Sequence, residues 1–522
     1  MKLPKLARIR FLVIPLFCLL VLVLSLRGIP GNPTPEELNT KQWQSDGPFE
    51  LSPERGRFAL TFSFVENKSF FFSIPIARFA LPDLGYKNGH FVSLFAPAVS
   101  FIVAPGFLVG KIFGISQIGA FFVISLFALL NAMLIRQIAI KLGANALAAI
   151  IASLVFIFAT PAFPYAVSLY QHHISTFLIL CSLYILLKWN NIWSVSFIWF
   201  LCAASIPVDY PNLFLMFPIA IISLGRIIFI KIQEKNITVN FKIAGLFTFI
   251  TILFPLFFFL WFNQDSYGNP FQLSGTVPSV REIDINGKPT APSGASKNYI
   301  EKYNNSEKQQ RSAIGFFKTR YLLNVFYIHL ISPDRGVIYY TPVILFGVIG
   351  AIIAYKKRIK YLSLLLSIIA VNLLLYSMWG DPWGGWAFGS RYLIPSYALF
   401  SIFIAFFLTR FHKSILFLSI FFLIMAYSIC VNTLGAITSS ANPPQTEVLQ
   451  LEKLSGIVQK YTYARNYDFL MSGNSKSFMF QTYAHKYLTA FQYYGLLVLI
   501  IIGVSQTALI KLYFSKEEHD QV

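Results

Sequence analysis

Residues 392–431 read YLIPSYALFSIFIAFFLTRFHKSILFLSIFFLIMAYSICV. The stretch consists of two apolar runs, at 392–408 and 414–431, and each is near the length that a helix needs to cross a bilayer. The short turn between them carries Arg410 and Lys413, and basic residues gather in the cytoplasmic turns of membrane proteins. The stretch therefore predicts two membrane helices joined on the cytoplasmic side.

The composition of the whole chain supports this interpretation. Of its 522 residues, 56% are hydrophobic and only 12% are charged, whereas a soluble globular protein carries roughly 25% charged residues. So little charge cannot cover a water-soluble particle, which excludes a soluble enzyme, a coiled coil and a disordered scaffold. The chain holds 42 Lys and Arg against 22 Asp and Glu, and we assign this excess to membrane topology rather than to nucleic acid.

Further apolar runs predict about 12 membrane helices in all. The first ends at Leu26 and is predicted to be retained, because no small-residue cleavage site precedes Arg27. The others cover residues 117–135, 146–163, 175–187, 193–206, 213–230, 243–262, 337–355, 361–376, 392–408, 414–431 and 493–510. The predicted fold class is thus an all-α polytopic membrane protein with long outer loops.

The short basic loops set the orientation of these helices. With the N-terminus in the cytoplasm, every such loop falls on the cytoplasmic side, and so does the C-terminus. The loops carry Arg136 and Lys141, Lys188, Arg226, Lys231 and Lys235, Lys356, Lys357, Arg358 and Lys360, Arg410 and Lys413, and Lys511 and Lys516. We therefore predict a protein of the inner or plasma membrane with both termini in the cytoplasm.

The segment from His90 to Lys111 is apolar enough to cross a membrane but does not fit the alternation of cytoplasmic and outer loops. Counting it as a span would move every later basic loop to the other side. It also contains Pro97 and Pro105, which disrupt helical hydrogen bonding. We predict a re-entrant or interfacial segment that is covered by protein.

The predicted topology divides the chain into a membrane part and an outer head. An N-terminal membrane module, 1–262, contains the first outer loop at 28–116, and a large outer loop covers 263–335. The C-terminal helices at 336–431 include a Trp- and Gly-rich outer loop at 378–391. A last outer loop spans 432–492, before the final helix and cytoplasmic tail at 493–522. Long loops on a rigid helical scaffold favour a catalytic or binding head.

Two acidic residues of the first outer loop are candidates for chemistry. Glu54 follows Ser52 and Pro53, which are suited to the start of a helix. The pattern alone fits a capped interfacial helix with solvated charges somewhat better than a general base. As a base, Glu54 would take a proton from an acceptor hydroxyl. Asp83 is the second candidate, although after Pro82 it also fits a simple turn.

The outer loop at 378–391 carries Trp383 and Trp386 beside several glycines. These tryptophans fit either an interfacial aromatic belt or a pair of faces that stack on a sugar ring or a polyprenyl chain. Arg391 ends this loop, and Arg335 ends the large outer loop. Each arginine alone fits a snorkelling side chain, whereas together they fit the phosphate of a lipid donor, since a guanidinium offers planar, bidentate donors.

His172 and His173 lie in a predicted outer turn. Adjacent helical residues point to different faces, which makes a zinc site held by both a poor fit. The remaining interpretations are a pair in the acceptor pocket and a buried, hydrogen-bonded turn. The sequence contains no phosphate-cradling Gly-Lys-Ser/Thr loop and no dinucleotide fingerprint, so no nucleotide cofactor is expected.

Several short motifs resemble those of the glycosyltransferase C superfamily. They are Glu54 ahead of Arg57-Phe58-Ala59, Tyr86-x-x-Gly89-His90-x-x-Ser93 followed by Ala96-Pro97, and Arg391-Tyr392-Leu393-x-Pro395 at the start of a span. The superfamily comprises polytopic enzymes, among them protein mannosyltransferases and aminoarabinose transferases, that take sugars from polyprenyl-phosphate donors.

The resemblance implies an outer active site with a catalytic carboxylate about where Glu54 lies. Relatives carry an Asp-Glu pair there, whereas in this chain Glu54 is followed by Arg55 and Gly56. Phe95 takes the place of a frequent Lys, so that Lys87 or His90 would supply a phosphate contact. Members differ in metal dependence, which leaves a divalent cation open.

The leading hypothesis is an integral-membrane glycosyltransferase that moves a sugar from a polyprenyl-phosphate donor to an envelope glycan, lipid or protein. Glu54 or Asp83 would act as base, and Arg391 and Arg335 would hold the donor phosphate. One alternative is a transporter or flippase of lipid-linked saccharides, which predicts ionisable residues inside the spans. Another is an inactive envelope-assembly protein, which the missing carboxylate pair favours. The partners expected are the donor, the acceptor and membrane lipids, with no nucleic acid.

Overall fold

In the computed structural model, which describes residues 5–233, 236–291, 313–381 and 383–515, helices dominate the chain. The helices are α1 (Lys5–Ser25), α2 (Ser52–Glu66), α3 (Ile74–Ala80), α4 (Ala98–Ile112), α5 (Ser116–Lys141), α6 (Ala146–Phe158), α7 (Ala162–Ala166), α8 (His172–Lys188), α9 (Ile192–Ser205), α10 (Asn212–Leu224), α11 (Ile243–Tyr267), α12 (Leu322–Leu330), α13 (Val337–Tyr340), α14 (Pro342–Lys356), α15 (Leu362–Ser377), α16 (Arg391–Phe411), α17 (Ile415–Ile437), α18 (Gln445–Ser455), α19 (Ala464–Met471), α20 (Phe478–Thr482) and α21 (Ala490–Phe514). The strands are β1 (Leu84–Lys87), β2 (His90–Ser93), β3 (Ile228–Gln233), β4 (Asn236–Phe241), β5 (Ser279–Val280), β6 (Glu282–Ile283) and β7 (Pro289–Thr290).

Every predicted span overlaps at least one of these helices. Within the described residues, five helices are long and apolar enough to cross a membrane, namely α5, α11, α16, α17 and α21. The helices at the other predicted spans are apolar but shorter. The chain thus has the helices of a multi-pass membrane protein, and the number of crossings stays a prediction.

Short polar side chains fix the starts of several helices. The Asn145 side chain accepts a hydrogen bond of 2.8 Å from Leu147 N at the start of α6. At the start of α21, Thr489 and Gln492 bind each other's backbone N–H groups at 3.2 and 2.9 Å. These bonds satisfy N–H groups that have no acceptor within the helix. The helices therefore begin where the sequence changes from polar to apolar.

Helix α16, the first half of the stretch quoted at the outset, lies at the centre of the bundle. In its most apolar 18-residue window 83% of the residues are buried, against 17% in α11 at the periphery. Small residues permit close packing against α16. Gly350 of α14 is an example, because a Cβ atom at this position would lie within 2 Å of the carbonyl oxygen of Phe403 in α16. The stretch thus supplies the core of the fold as well as its topology signal.

The basic turns that the structure describes gather at one end of the bundle, here named the basic end; Lys235 and Lys516 lie outside the described residues. Asn145 N donates to Thr409 Oγ1 at 2.9 Å, joining the turn after α5 to the end of α16. Arg226 Nη2 donates to Leu186 O at 2.6 Å, joining the ends of α8 and α10. Lys413 Nζ donates to Ser515 O, and so binds the C-terminal end of α21. This arrangement agrees with basic loops on a single side, and which compartment they face stays a prediction.

Helix α4 begins and ends on the face opposite the basic end. At its start, Ala98 N donates to Pro207 O at 2.8 Å, in the turn after α9. Beyond its end, Gly114 O accepts a hydrogen bond of 2.8 Å from Gly31 N, which follows α1. These contacts agree with a segment that does not cross. The expectation that Pro105 interrupts the helix is wrong, because α4 continues through it.

The prediction of an all-α fold needs correction, since a small sheet connects two of the outer loops. Strands β2, β1 and β5 form it in that order, all antiparallel, with Leu84 opposite both Ser93 and Val280. Strands β3 and β4 form a hairpin near the basic end, where the predicted span 213–230 already ends at Leu224. Strands β6 and β7 pair with each other. The chain is therefore mostly helical, with short strands in its loops.

Two predicted loop boundaries also change. Helix α11 continues to Tyr267, and α17 continues to Ile437, so that each projects into the outer head. The predicted span 337–355 is divided between α13 and α14, with Thr341 in a non-helical conformation (φ −156°, ψ 56°) between them. Pro342 follows directly and has no N–H to continue the first helix.

Candidate active site

Glu54 lies in the first turn of α2 with its side chain fully buried. Its Oε2 atom accepts a long hydrogen bond of 3.4 Å from Leu51 N, whereas Oε1 has no partner among the described residues. Burial raises the pKa of Glu54 to about 8, and the charge of Arg27 opposes this shift. A carboxyl group with a pKa near neutrality can give or accept a proton under physiological conditions.

Aromatic packing holds α2 in this position. The ring of Phe58 contacts three others at centroid distances of 4.6, 6.4 and 5.6 Å, those of Phe49, Phe79 and Phe107. Gly56 lies against the ring of Phe95, where a Cβ atom would approach to 2.5 Å. Because the rings bury a large apolar area and Gly56 permits close approach, the start of α2 has little freedom to move.

Four residues before Glu54, Glu50 is the centre of a buried ion cluster. Its carboxylate lies 2.7 Å from Lys476 Nζ and 3.6 Å from Arg27 Nη1. It also accepts a hydrogen bond of 2.8 Å from Ser439 Oγ. Burial alone would raise the pKa of Glu50, but the two cations outweigh it and hold this pKa below its ordinary value. The cluster ties the first outer loop to the last one.

Two buried arginines flank Tyr170 in the turn before α8. The Cζ atoms of Arg391 and Arg57 lie 5.0 and 5.8 Å from the centre of its ring. His172 stacks on the same ring at 5.8 Å, and Glu54 is within electrostatic range of both Tyr170 and Arg57. These five residues, from α2, α8, α16 and the turn between α7 and α8, form the Tyr170 cluster.

The Tyr170 cluster contains buried polar atoms that lack a hydrogen-bond partner among the described residues. They are Glu54 Oε1, Arg57 Nε, Tyr170 OH, His172 Nε2, and Nε and Nη1 of Arg391. Since buried polar atoms in native proteins are nearly always hydrogen-bonded, several such atoms on neighbouring residues indicate a place for a bound molecule. Two guanidinium groups make an anionic group the best match.

A chain of hydrogen bonds fixes Arg57 within the cluster. Its Nη2 atom donates to Gln171 Oε1 at 2.6 Å, and Gln171 Nε2 donates to Asp209 Oδ2 at 3.1 Å. Burial raises the pKa of Asp209, and the bond from Gln171 opposes this shift. The sequence patterns assign neither Arg57 nor Gln171 to a site. The available signal is the spacing of three residues from Glu54 to Arg57, which puts both on one face of a helix.

Arg391 and Arg335 both bind the backbone of the 383–385 segment. Arg391 Nη2 donates to Gly384 O at 2.5 Å. Arg335 Nη1 donates to Trp383 O and, at 3.0 Å, to Gly385 O. Left-handed backbone at both glycines, with φ of +67° and +66°, permits this tight turn. The structure thus places Arg391 in the Tyr170 cluster and Arg335 as a support of the loop beside it.

Three further candidates contact the scaffold around α2. Asp83 accepts a hydrogen bond of 2.6 Å from Ser52 Oγ, the first residue of α2. Lys87 and His90 face each other across the β1–β2 hairpin, and the ring of His90 stacks on Phe71 at 4.2 Å. Their roles as second base and as phosphate contacts stay predictions.

Trp383 and Trp386 have different surroundings. Trp386 Nε1 donates to Glu447 Oε2 at 2.9 Å, and its ring centre lies 5.2 Å from Arg465 Cζ. Trp383 is half-buried and contacts Arg335 through its backbone carbonyl. Trp386 therefore links the 378–391 loop to the last outer loop.

His172 and His173 are buried at the start of α8 and point into different environments. His173 Nε2 lies 2.8 Å from Ala162 O, and its Nδ1 lies 3.4 Å from Asn131 Nδ2. Both ring nitrogens of His173 thus have partners in the packed core. His172 instead belongs to the Tyr170 cluster, with Nε2 unpaired.

The described ranges contain no group of three or more His, Cys, Asp or Glu side chains that could hold a metal ion. The Tyr170 cluster offers one carboxylate beside two guanidinium groups. Divalent cations prefer several oxygen ligands, so this donor set suits an anion better than a cation.

No family model matches the sequence, and no curated protein matches it. Among solved structures, the chain is similar to ArnT from Cupriavidus metallidurans in the apo state, with a TM-score of 0.47 and 12% identity over 98% of this chain and 77% of that one. ArnT bound to undecaprenyl phosphate matches with a TM-score of 0.47 and 13% identity, over 97% of this chain and 76% of that one. The Archaeoglobus fulgidus oligosaccharyltransferase complex with Zn and sulfate matches with a TM-score of 0.46 and 14% identity, over 85% of this chain and 56% of that one. These matches are coarse and structural only.

Proposed function

We propose that the chain is an integral-membrane glycosyltransferase that moves a sugar from a polyprenyl-phosphate donor to an acceptor hydroxyl. The observation that supports it best is the Tyr170 cluster, in which the unpaired Oε1 of buried Glu54 accompanies two guanidinium groups with unpaired nitrogens. A proton acceptor next to an anion site is the combination that transfer from a phosphate-linked sugar requires.

Arg391 and Arg57 would bind the donor phosphate. Arg391 Nε and Nη1 and Arg57 Nε are buried donors without partners among the described residues. Gln171 already holds Arg57 Nη2, and Gly384 O holds Arg391 Nη2, so the two guanidinium groups are oriented before a ligand arrives. Such preorganised donors stabilise the charge that develops on the leaving phosphate.

Glu54 would act as the general base. In the transfer step the acceptor oxygen forms a bond to the anomeric carbon while its proton passes to Glu54 Oε1. The bond between that carbon and the phosphate oxygen breaks, and the electron pair leaves with the polyprenyl phosphate. Because the pKa of Glu54 is about 8, the ionised fraction, and with it the transfer rate, is expected to rise as the pH increases through 8.

The membrane arrangement supports a lipid donor. The Tyr170 cluster lies at the starts of α2, α8 and α16, on the face opposite the basic end. With the basic end in the cytoplasm, as the topology rule requires, the cluster faces outward and a polyprenyl chain would lie in the adjoining bilayer. The acceptor would then be an envelope glycan, lipid or protein, and no nucleotide cofactor would be needed.

The test compares wild-type protein with Glu54→Gln in membranes supplied with labelled polyprenyl-phosphate sugars. Loss of the base should reduce release of labelled sugar by about 10²–10⁴-fold. Glu66→Gln is the matched control, because Glu66 ends the same helix and pairs with Lys111 at the surface. It should change turnover by less than about twofold. A parallel sample with EDTA measures whether a divalent cation takes part.

Equal turnover by wild type and Glu54→Gln would remove Glu54 as base and leave Asp83 as the next candidate. If wild type turned over no donor but moved lipid-linked saccharide between leaflets, the flippase alternative would replace the proposal. Absence of both activities would favour an assembly protein.

A further inference from the structure

A second polar site lies on the outer head. It is a cleft of about 370 Å³ lined by Ser45 and Glu50 from the first outer loop and by Ser439, Arg465, Asp468, Phe469 and Ser472 from the last. Its volume is within the range of small-molecule sites, about 300–1,000 Å³. The bond from Ser439 Oγ to Glu50 joins the two walls at 2.8 Å.

Arg465 gives the cleft its charge preference. Its guanidinium is half-buried and takes part in no hydrogen bond or ion pair with the residues that the structure describes. The carboxylates of the cleft are already paired, Glu50 with Lys476 at 2.7 Å and Asp468 with Lys460 at 2.6 Å. The Glu50 carboxylate attracts Arg465 electrostatically, but the guanidinium N–H groups have no acceptor among the described residues and are available to an anionic group in the cleft.

The remaining lining suits a molecule rich in hydroxyl groups. Ser45 and Ser472 are exposed at the rim; their hydroxyls donate to Asp46 Oδ1 and Phe469 O, and each oxygen can still accept a hydrogen bond from a ligand. Phe469 contributes an aromatic face inside the cleft, and the ring centre of Trp386 lies 5.2 Å from the Cζ atom of Arg465. Saccharides combine hydroxyl groups with apolar C–H faces, which matches polar rims next to aromatic surfaces.

The cleft adjoins the Tyr170 cluster on two sides. Its floor residue Glu50 precedes Glu54 by four residues, and Arg27 is within electrostatic range of both carboxyl groups. Trp386, at the other side, belongs to the loop whose Gly384 carbonyl binds Arg391. A molecule in the cleft therefore lies beside the residues that would carry out the transfer.

We infer that this cleft binds the acceptor of the reaction, and that the acceptor is a saccharide carrying a negative charge. The assignment as acceptor rests on the proposed function. Binding of an acidic saccharide to the cleft does not depend on it.

Isothermal titration calorimetry on the purified full-length protein, without donor, tests the inference with two probes. Hyaluronan hexasaccharide is acidic and maltohexaose is neutral, and we expect the acidic probe to bind on the order of tenfold more tightly. Arg465→Gln should weaken hyaluronan binding by about tenfold and leave maltohexaose binding unchanged. Ser472→Trp fills the rim from an exposed position and should weaken both. Lys486→Ala, an exposed outer-head change away from the cleft, is the control.

Three results would overturn the inference: no binding of either probe, equal affinity for both, or binding that survives both substitutions. Thermal unfolding of each variant checks that the protein is folded. Because no donor is present, the binding result is separate from turnover. A protein that binds hyaluronan through Arg465 but transfers no sugar would keep the site and lose the proposed function.

Discussion

Glu50 and Glu54 are two buried carboxyl groups four residues apart with opposite environments. Glu50 is held by Lys476, Arg27 and Ser439, and its pKa is lowered because the two cations outweigh the effect of burial. Glu54 has one long hydrogen bond and an unpaired oxygen, and burial raises its pKa to about 8. In one loop, Glu50 thus carries a charge that is fully paired, whereas Glu54 offers a carboxyl oxygen that has no partner among the described residues.

The difference separates a structural role from a chemical one. A carboxylate with all its partners in place contributes to the fold and has no oxygen left for a substrate. A buried carboxyl group without partners costs folding free energy, and proteins retain such groups at functional sites. Glu50 thus joins the two outer loops, and the contrast supports the proposal that Glu54 takes the proton.

The largest expected effect that separates the two residues is on stability. Glu50→Gln leaves the buried charges of Arg27 and Lys476 without their carboxylate, which should cost about 3–5 kcal/mol. Thermal unfolding of the purified protein would show this as a markedly lower Tm, whereas Glu66→Gln at the surface should leave the Tm nearly unchanged. An unchanged Tm for Glu50→Gln would contradict the structural role of this cluster.

The positioning of Arg57 gives the next largest effect. Gln171→Met removes the acceptor at 2.6 Å from Arg57 Nη2 and breaks the connection to Asp209. Because a hydrogen bond to a charged group contributes about 1.5–3 kcal/mol, KM for the donor should rise by about tenfold or more, with a smaller change in kcat. Asp209→Asn keeps an acceptor for Gln171 and should have a weaker effect. Equal loss of kcat in both variants with unchanged KM would contradict a role in donor binding.

The sequence predicts the positions of the helices well because apolar runs are local signals. It also selects Glu54 and Arg391 as candidates, which stand at the starts of α2 and α16, and their roles stay predictions. Tyr170, Gln171 and the ion cluster around Glu50 are not predicted. Arg27 and Lys476 reach Glu50 from distant parts of the chain, and sequence spacing carries no information on such tertiary contacts.

Two arginines of the outer loops also show that sequence spacing does not reveal tertiary contacts. Arg335 and Arg391 look alike in sequence, each at the end of an outer loop, yet only Arg391 contacts Tyr170 at 5.0 Å. Arg335 binds the carbonyls of Trp383 and Gly385. Both guanidinium groups bind the backbone of the 383–385 segment, and the pattern of residue types does not show which of them also contacts the cluster.

A further expected effect is the pH dependence of stability at Glu54. Its pKa is 4.5 in the unfolded chain and about 8 in the folded one, so the folded state binds the additional proton between these values. Stability is therefore lost as the pH rises from 4.5 to 8, and Glu54→Gln is free of this loss. The Tm of Glu54→Gln relative to wild type should be higher at pH 8 than at pH 5. A relative Tm that is constant over this range would contradict the raised pKa.

The most direct measurement of the central claim is an infrared titration of the purified protein between pH 5 and pH 9. A difference spectrum between wild type and Glu54→Gln isolates the C=O band of the protonated Glu54 carboxyl group. We predict a band that is present at pH 6 and disappears with a midpoint near 8, in line with the pKa of about 8. A band that is already absent at pH 6 would show that Glu54 is paired like Glu50, and would contradict its assignment as the base.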